Sequence, residues 1–582
     1  YRANDNMIIG ERNPFLYRNP DDPSALPQVV LPNGGIYKLE QNNLQSYYLR
    51  NALEYNKAFK DQDEQDKHTL KLFLGQEFRY TDRDNQSFDG YGYQFNRGGV
   101  VFTDPRIIEK VIADNAQYFD RSTGRERGVA FFSQASYGFR NRYILSGTLN
   151  YEGSNQLGRS RKARWLPTWN ISGRWNVTNE HFLPTTHALS NLSFRLSYGL
   201  IAGLNNIGNA LPIMISTITP RFRNQDNERL IRILSLQNSD LTWEKVYETN
   251  FGTDIGFLSN AISLSVDLYQ KNSKDLLDIV RTSGMGGELN KYANDASMTT
   301  RGVELVLDTR NFKTEDFTWS TSVNFAYFNQ EITSLANASN SVFNLVRETG
   351  GNVLGNPRNT LYSYDFAGLN SQGMPLLNLK EGSRDYKDID FQDRDNILSY
   401  LKKEGAVDPN ITGGLSNTFR YKNWELNFLI TMQAGNKIRK APLYKGAGYD
   451  DLSVFPREFK NRWVAPGDEA LTQIPGIVSQ RTLNEENKAY ISRAYSAYNH
   501  STARVVDGSF VRMKSISLSY TFDKEVLENL NLGNLTLRLQ ASNPFLIYAH
   551  KDLNGQDPEF FRSGGVAYPI TPQYTFTINL GI

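Results

Sequence analysis

The chain has 582 residues, with 64 Lys plus Arg against 62 Asp plus Glu and a formal net charge of +2. Charges so balanced, with no long basic run, leave no electrostatic footprint for nucleic acid. Cysteine is absent, which excludes disulfides, thiolate metal sites, cysteine nucleophiles and cysteine-linked lipid anchors on this chain.

In chain order the sequence predicts strands over 46–59, 67–82, 127–140, 142–154, 165–177, 190–202, 243–257, 261–274, 297–311, 316–332, 411–421, 424–437, 508–522, 533–546 and 570–582. Each carries large apolar residues at every second position, the period at which strand side chains return to one face. Leu70, Leu72, Leu74, Phe78 and Tyr80 share a face; so do Tyr143, Leu145, Leu149 and Tyr151. Leu192, Phe194, Leu196 and Tyr198 oppose Ser193, Arg195 and Ser197, and Ile262, Leu264, Val266 and Leu268 oppose Ser263, Ser265 and Asp267. At 511–522 the apolar set shifts from Val511 and Met513 to Ile516, Leu518, Tyr520 and Phe522, which predicts a β-bulge near Ser515. The last segment, Tyr574 to Ile582, alternates without error.

The predicted links alternate between short and long. Short ones are Phe139–Arg142, Leu258–Asn260, the stretch around 312–316 and Tyr421–Trp424; long ones are 83–126, 203–242, 275–296, 333–410, 438–507 and 547–569. Antiparallel neighbours then place all short links on one rim and all long links on the other. Such a layout is that of a transmembrane antiparallel β-barrel of outer-membrane type, with short periplasmic turns and long extracellular loops. The fold class is therefore all-β, a single barrel with about fifteen strands in this chain. Loops 83–126, 203–242, 333–410 and 438–507 are expected outside the cell, and the apolar strand faces against lipid.

Composition agrees with this reading. Mean hydropathy is −0.52, and no window approaches the ~18 apolar residues of a transmembrane helix. A barrel needs neither, because only alternate strand residues face lipid. Aromatic residues make up 12% of the chain, which suits girdles at two membrane interfaces. No secretory signal opens the chain, so a barrel is expected to be a processed or truncated one whose first residue enters within a loop.

Candidate sites are few. Five histidines are scattered, and His181 and His187, six apart, match no zinc spacing. Gly284 to Gly287 lacks the strand-to-helix frame of a phosphate loop and reads as a hinge. In the acidic run Asp385–Asp395, Asp388 with Asp390, and Asp393 with Asp395, have the one-apart spacing that presents oxygens to calcium, and Asp388, Asp390 and Asp393 are the candidate ligands. The sharp-turn glycine is missing and Arg394 intervenes, so a solvated loop is the favoured reading and no cofactor is expected. Trp463, Tyr490, Tyr495 and Tyr498, in the 438–507 loop, are candidates to pack that loop or to dock a partner protein. No pair of carboxylates is brought into acid–base geometry by sequence, and the chain reads as a non-enzyme.

Several strings resemble the C-terminal barrel half of the SusC/RagA family, the TonB-linked outer-membrane transporters of Bacteroidetes. They begin with Phe131-Phe-Ser-Gln-Ala-Ser-Tyr-Gly-Phe-Arg-Asn-Arg-Tyr143 and Trp165-Leu-Pro-Thr-Trp-Asn-Ile-Ser-Gly-Arg-Trp175. Leu192-Ser-Phe-Arg-Leu-Ser-Tyr-Gly199, Leu241-Thr-Trp-Glu-Lys-Val-Tyr-Glu-Thr-Asn-Phe-Gly252, Leu264–Tyr269 and Thr300-Arg-Gly-Val-Glu-Leu305 follow. Asp507-Gly-Ser-Phe-Val-Arg-Met-Lys-Ser-Ile-Ser-Leu-Ser-Tyr-Thr-Phe522, Ala541-Ser-Asn-Pro-Phe545 and Asp557-Pro-Glu559 complete the series. The resemblance implies a barrel of about 22 strands with an N-terminal plug and a TonB box. Fifteen strands is an odd count and complete bacterial barrels of this type have even ones, so the remaining strands and the plug are expected outside this sequence. Two departures stand out: the family's calcium-like glycine–aspartate pattern is degraded around 388–395, and the last residue is Ile582 rather than an aromatic.

The resemblance further implies a Gram-negative outer-membrane importer of oligosaccharides or peptides. A SusD-like surface lipoprotein would act as its lid and TonB would supply energy through the missing N-terminal region. The alternative is a SusC-like barrel serving as a scaffold in a larger secretion or barrel-assembly complex, bound to other outer-membrane subunits. A secreted glycan-active enzyme is disfavoured, since its cores would need strands buried on both faces.

Overall fold

The computed structural model describes residues 16–17, 22, 24–26, 28–29, 35–60, 66–94, 98–101, 104–106, 119–155, 164–183, 188–203, 213–220, 227–235, 241–281, 290–336, 342–379, 382–383, 385, 388, 397–444, 455–478, 481, 488–528, 532–559 and 570–581. Fifteen strands form one antiparallel sheet in which each pairs with its neighbours in chain order. They are β1 Gly35–Lys60, β2 Asp66–Tyr93, β3 Phe119–Phe139, β4 Tyr143–Ser154 and β5 Trp165–Asn176. Next come β6 Leu189–Gly203, β7 Glu244–Phe257, β8 Ile262–Arg281, β9 Asn290–Lys313 and β10 Phe317–Leu335. The last are β11 Ile411–Tyr421, β12 Trp424–Ala434, β13 Phe510–Thr521, β14 Asn534–Ala549 and β15 Gln573–Gly581. All fifteen sequence-predicted strands are present. No helix among the described residues is long and apolar enough to cross a membrane.

Several boundaries move. Strands β2 and β3 run on through much of 83–126, and β8 and β9 take up most of 275–296. Polar, tyrosine-rich tips such as 83–93 carry no apolar alternation, so periodicity stopped short of them. The 203–242 segment holds a hairpin of its own, Ile213–Pro220 paired with Asn227–Ser235. Gly284–Gly287 lies outside the described residues.

The short links are tight turns. Arg140 and Asn141 adopt φ of 50° and 51°, and Leu258, Ser259 and Asn260 adopt 52°, 53° and 59°. Left-handed backbone of this kind reverses the chain within a few residues. Beside one of these turns, Arg142 pairs with Glu180 at 3.2 Å, and Trp175 Nε1 donates to the same carboxylate at 3.2 Å.

The chain divides into two compact units. The smaller comprises 1–54, 73–133 and 150–167. In it Arg50 lies over the Phe132 ring at 4.8 Å, Phe73 stacks on Phe132, and Tyr151 stacks on Trp165 at 4.9 Å. The larger comprises 55–72, 134–149 and 168–582. Its strand register is continuous from β7 to β8, where Phe251 faces Leu268 and Asp254 faces Ser265. The predicted bulge is at Lys514: Met513 pairs with Ile430 and Ser515 with Leu429, leaving Lys514 between them without a partner on β12.

Burial in the larger unit inverts the rule for a water-soluble protein. Apolar strand residues such as Leu196, Leu268, Leu518 and Leu539 are exposed. The buried apolar clusters lie instead in the long links. One gathers Leu345, Val346, Tyr362, Tyr364 and Leu377 with Ala497. Another gathers Leu443, Tyr444, Phe459, Ile491, Tyr495 and Tyr498.

Candidate functional site

The polar faces of β5 to β8 carry a ladder of charge. Arg195 on β6 reaches Asp254 at 3.3 Å and Asp267 on β8 at 3.0 Å. Arg174 on β5 reaches Asp254 at 3.2 Å, and Ser193 and Ser265 donate to that carboxylate at 3.1 and 2.8 Å. Gly252 stands between Arg195 and Asp267 as the register partner of both. A Cβ there would lie 2.5 Å from Asp267 Oδ1 and 2.8 Å from Arg195 Nε, so glycine lets a pair close across an intervening strand. The alternation of β6 and β8 puts Arg195 and Asp267 on the polar face, but only the register shows that they meet.

The second region is the folded link layer. Its organiser is the helix α1, Lys488–Asn499, whose Ile491, Ala494, Tyr495 and Tyr498 are buried. That spacing is one helical face. Tyr495 donates to the Gly476 carbonyl at 2.6 Å and Tyr444 donates to that of Pro475. Burial pushes the Tyr498 phenol up to about 12 and raises Tyr495 as well; both stay protonated. Tyr490, half-buried on the same helix, donates to the Asp385 carboxylate. Trp463 donates Nε1 to Glu469 at 3.0 Å, and its indole lies over Gly373 and over Gly476, the residue that also accepts from Tyr495, where no Cβ fits. Of the four aromatic candidates, Tyr495 and Tyr498 therefore face the interior of this layer, and Tyr490 and Trp463 are half-exposed.

Two buried arginines tie the layer together. Arg439 gives Nε to the Val346 carbonyl and Nη1 to that of Ser501, each at 3.1 Å. Its Nη2 reaches the Tyr362 carbonyl at 2.7 Å and Ser363 Oγ at 2.9 Å. Burial pulls its pKa down to about 10, so it remains charged at neutral pH. Arg504 pairs with Glu458 at 2.7 Å, which Lys440 also contacts at 3.0 Å. No sequence pattern singles out either arginine, because their partners are mostly backbone carbonyls distant in the chain.

His500 follows α1, with Nδ1 2.8 Å from the Ser496 carbonyl. Burial lowers its pKa below 6.5 and nearby Arg439 adds to this, while the Ser496 carbonyl and Glu348 oppose. An unfolded chain would take up a proton near pH 6.5 that the folded ring resists. The stability His500 contributes is thus complete above that pH and is lost as pH falls below it. Acidification from about pH 7.5 to about 5.5 is expected to lower the melting temperature of the wild type more than that of His500→Gln. An equal drop in the two proteins would count against it.

Of the calcium candidates, Asp388 accepts a hydrogen bond from Ser383, and Asp390 and Asp393 lie outside the described residues. Among the described residues no three His, Cys, Asp or Glu side chains converge as metal ligands.

Comparison with known proteins completes the picture. Residues 11–544 match the family described as TonB dependent receptor-like, beta-barrel. The chain is 25% identical to the TonB-dependent receptor P39 of Formosa agariphila, over 95% of this chain and 54% of that protein. It is also 25% identical to the TonB-dependent receptor SusC of Bacteroides thetaiotaomicron, over 86% of this chain and 47% of that protein. It thus spans about half the length of the curated relatives it matches. The solved RagAB peptide transporter shares the fold, with a TM-score of 0.74 at 22% identity over 94% of this chain and 56% of that one. Receptors of this kind are transporters rather than enzymes, and they reside in the outer membrane. With its one-sided strands, turn rim and folded link layer, the chain belongs to the TonB-dependent receptor β-barrel family and is a SusC-like outer-membrane protein.

Proposed function

We propose that this chain forms part of the barrel of an importer that takes up oligosaccharides or peptides with a SusD-like lipoprotein as lid and TonB as energy source. The observation that carries the proposal is the folded link layer. Ordering long loops costs backbone entropy at every residue, and here two apolar clusters and two buried arginines offset that cost. Loops of this length are uncommon unless they serve binding or gating. Val464 and Leu471 of this layer are 67% and 85% exposed and offer apolar contact to a lid. RagAB is described as a peptide transporter, which makes peptides the first substrates to test.

Two experiments bear on this reading. Mild-detergent purification is expected to recover the barrel with a SusD-like lipoprotein in equal amounts. Recovery alone would remove the lid from the proposal, and recovery with several other barrels or periplasmic factors would favour a scaffold. Sidedness follows from single cysteines in this cysteine-free chain. Leu471→Cys should react with a membrane-impermeant thiol label on whole cells and Asn260→Cys should not; the reverse pattern would invert the topology.

A further inference from the structure

A cavity of about 190 Å³ lies where the link layer meets the polar face of β12 and β13. Gln433 and Phe510, which are register partners on that face, form part of its wall. Glu348, Asn436 and Glu559 complete its polar lining, with Pro558 and Val407 as apolar walls.

The charged groups of this lining are unevenly met. Both cations in the wall are already engaged. Lys437 pairs with Asp507 at 3.1 Å, and Arg439 is surrounded by the three carbonyls and the hydroxyl described above. The acceptors are less fully met. Asn436 is 7% exposed, lines the cavity, and its Oδ1 has no hydrogen-bond partner. Glu559 shares Arg512 with Asp557, at 3.1 Å against 2.6 Å, so two carboxylates compete for one guanidinium. Glu348 lies half-exposed on the same wall and acts on Arg439 through space. A buried acceptor without a donor is costly, and a wall of acceptors with its cations spent favours a ligand that brings both donors and positive charge.

We propose that this cavity is a subsite for a primary ammonium group, either the N-terminus or a lysine side chain of a short peptide. Three N–H donors on one cation match Asn436 Oδ1 and the carboxylates of Glu348 and Glu559. Phe510 and Pro558 give the aliphatic stem an apolar wall. The subsite deepens the import reading by naming the recognised group, and it rests on that reading only for its place on a transport route.

Binding is measurable without transport. Calorimetric titration of the full-length protein, in detergent and with any partner it carries, would use the peptide Ala-Lys-Ala in four forms: free, Nα-acetylated, Nε-acetylated and doubly acetylated. The free peptide is expected to bind about tenfold more tightly than the doubly acetylated one, the value of one charge-assisted hydrogen bond. Whichever single acetylation reproduces the loss identifies the ammonium recognised. Glu348→Gln, a half-exposed and isosteric change, should weaken the free peptide about tenfold and leave the doubly acetylated one unchanged. Equal affinities for the free and doubly acetylated peptides, an unaffected Glu348→Gln protein, or no binding would overturn the subsite. If binding behaves as expected while whole cells fail to take up the peptide, the subsite stands and the import reading falls.

Discussion

Leu268→Arg is expected to destabilise the folded protein in lipid by ~2–4 kcal/mol, the cost of a cation on a lipid-facing barrel strand near the bilayer midplane. Leu268 lies between Phe251 of β7 and Val303 of β9 on the apolar face, and half of its surface is open. A barrel strand crosses the hydrocarbon in about 9–11 residues. Counted from Ile262, where β8 begins, Leu268 is the seventh residue, a little past the middle of that span. Ser265 provides the contrast, since it faces the other way and bonds to Asp254. An arginine there would meet Asp254 and Arg195 in a polar setting rather than lipid, and should cost less. Urea titration of the vesicle-inserted proteins, followed by tryptophan fluorescence and gel mobility, compares the two. Equal stability of Leu268→Arg and the wild type would mean that the apolar face does not lie against lipid.

Asp557→Ala should cost about 3–5 kcal/mol, because it strands a buried guanidinium. Arg512 and Asp557 side chains are 3% and 2% exposed, and Arg512 Nη2 lies 2.6 and 2.7 Å from the two carboxylate oxygens. Glu559, at 3.1 Å and 28% exposed, compensates only in part. The pair fastens 550–559 onto the polar face of β13. Its loss should release that segment first, seen as faster amide exchange at Gly555 before the strands respond. Arg512→Met combined with Asp557→Leu should be less damaging than Asp557→Ala alone, since the pair's desolvation penalty disappears with it. Additive costs would show that the two side chains act independently.

The strands were legible because a sheet wet on one side and oily on the other writes its period into the sequence. Tyr574 to Gly581 and Ile262 to Leu268 show this without any knowledge of their neighbours. The link layer was not legible in the same way. Ile491, Ala494, Tyr495 and Tyr498 do carry a helical period, yet the tyrosines stood out by residue type as docking candidates. Their burial depends on Leu443, Tyr444 and Phe459, which are distant in the chain. Arg439 is harder still, for a surface arginine and one satisfied by three carbonyls look alike in sequence. The cavity acceptors Glu348, Asn436 and Glu559 come from three separate links, and only the fold makes them neighbours.

Lys514 sets the phase of β13. Phe510, Arg512, Ile516, Leu518 and Tyr520 all have even numbers, yet the first two lie on the polar side and the others on the apolar side. A one-residue insertion within a strand would ordinarily exchange the faces of everything beyond it. Here the extra residue is bulged out, and both halves keep their proper environments. Such a position is where a lineage can gain or lose a single codon in a membrane strand without turning half of it inside out. Length differences among relatives in this strand should therefore gather at Lys514, while the flanking residues hold their spacing.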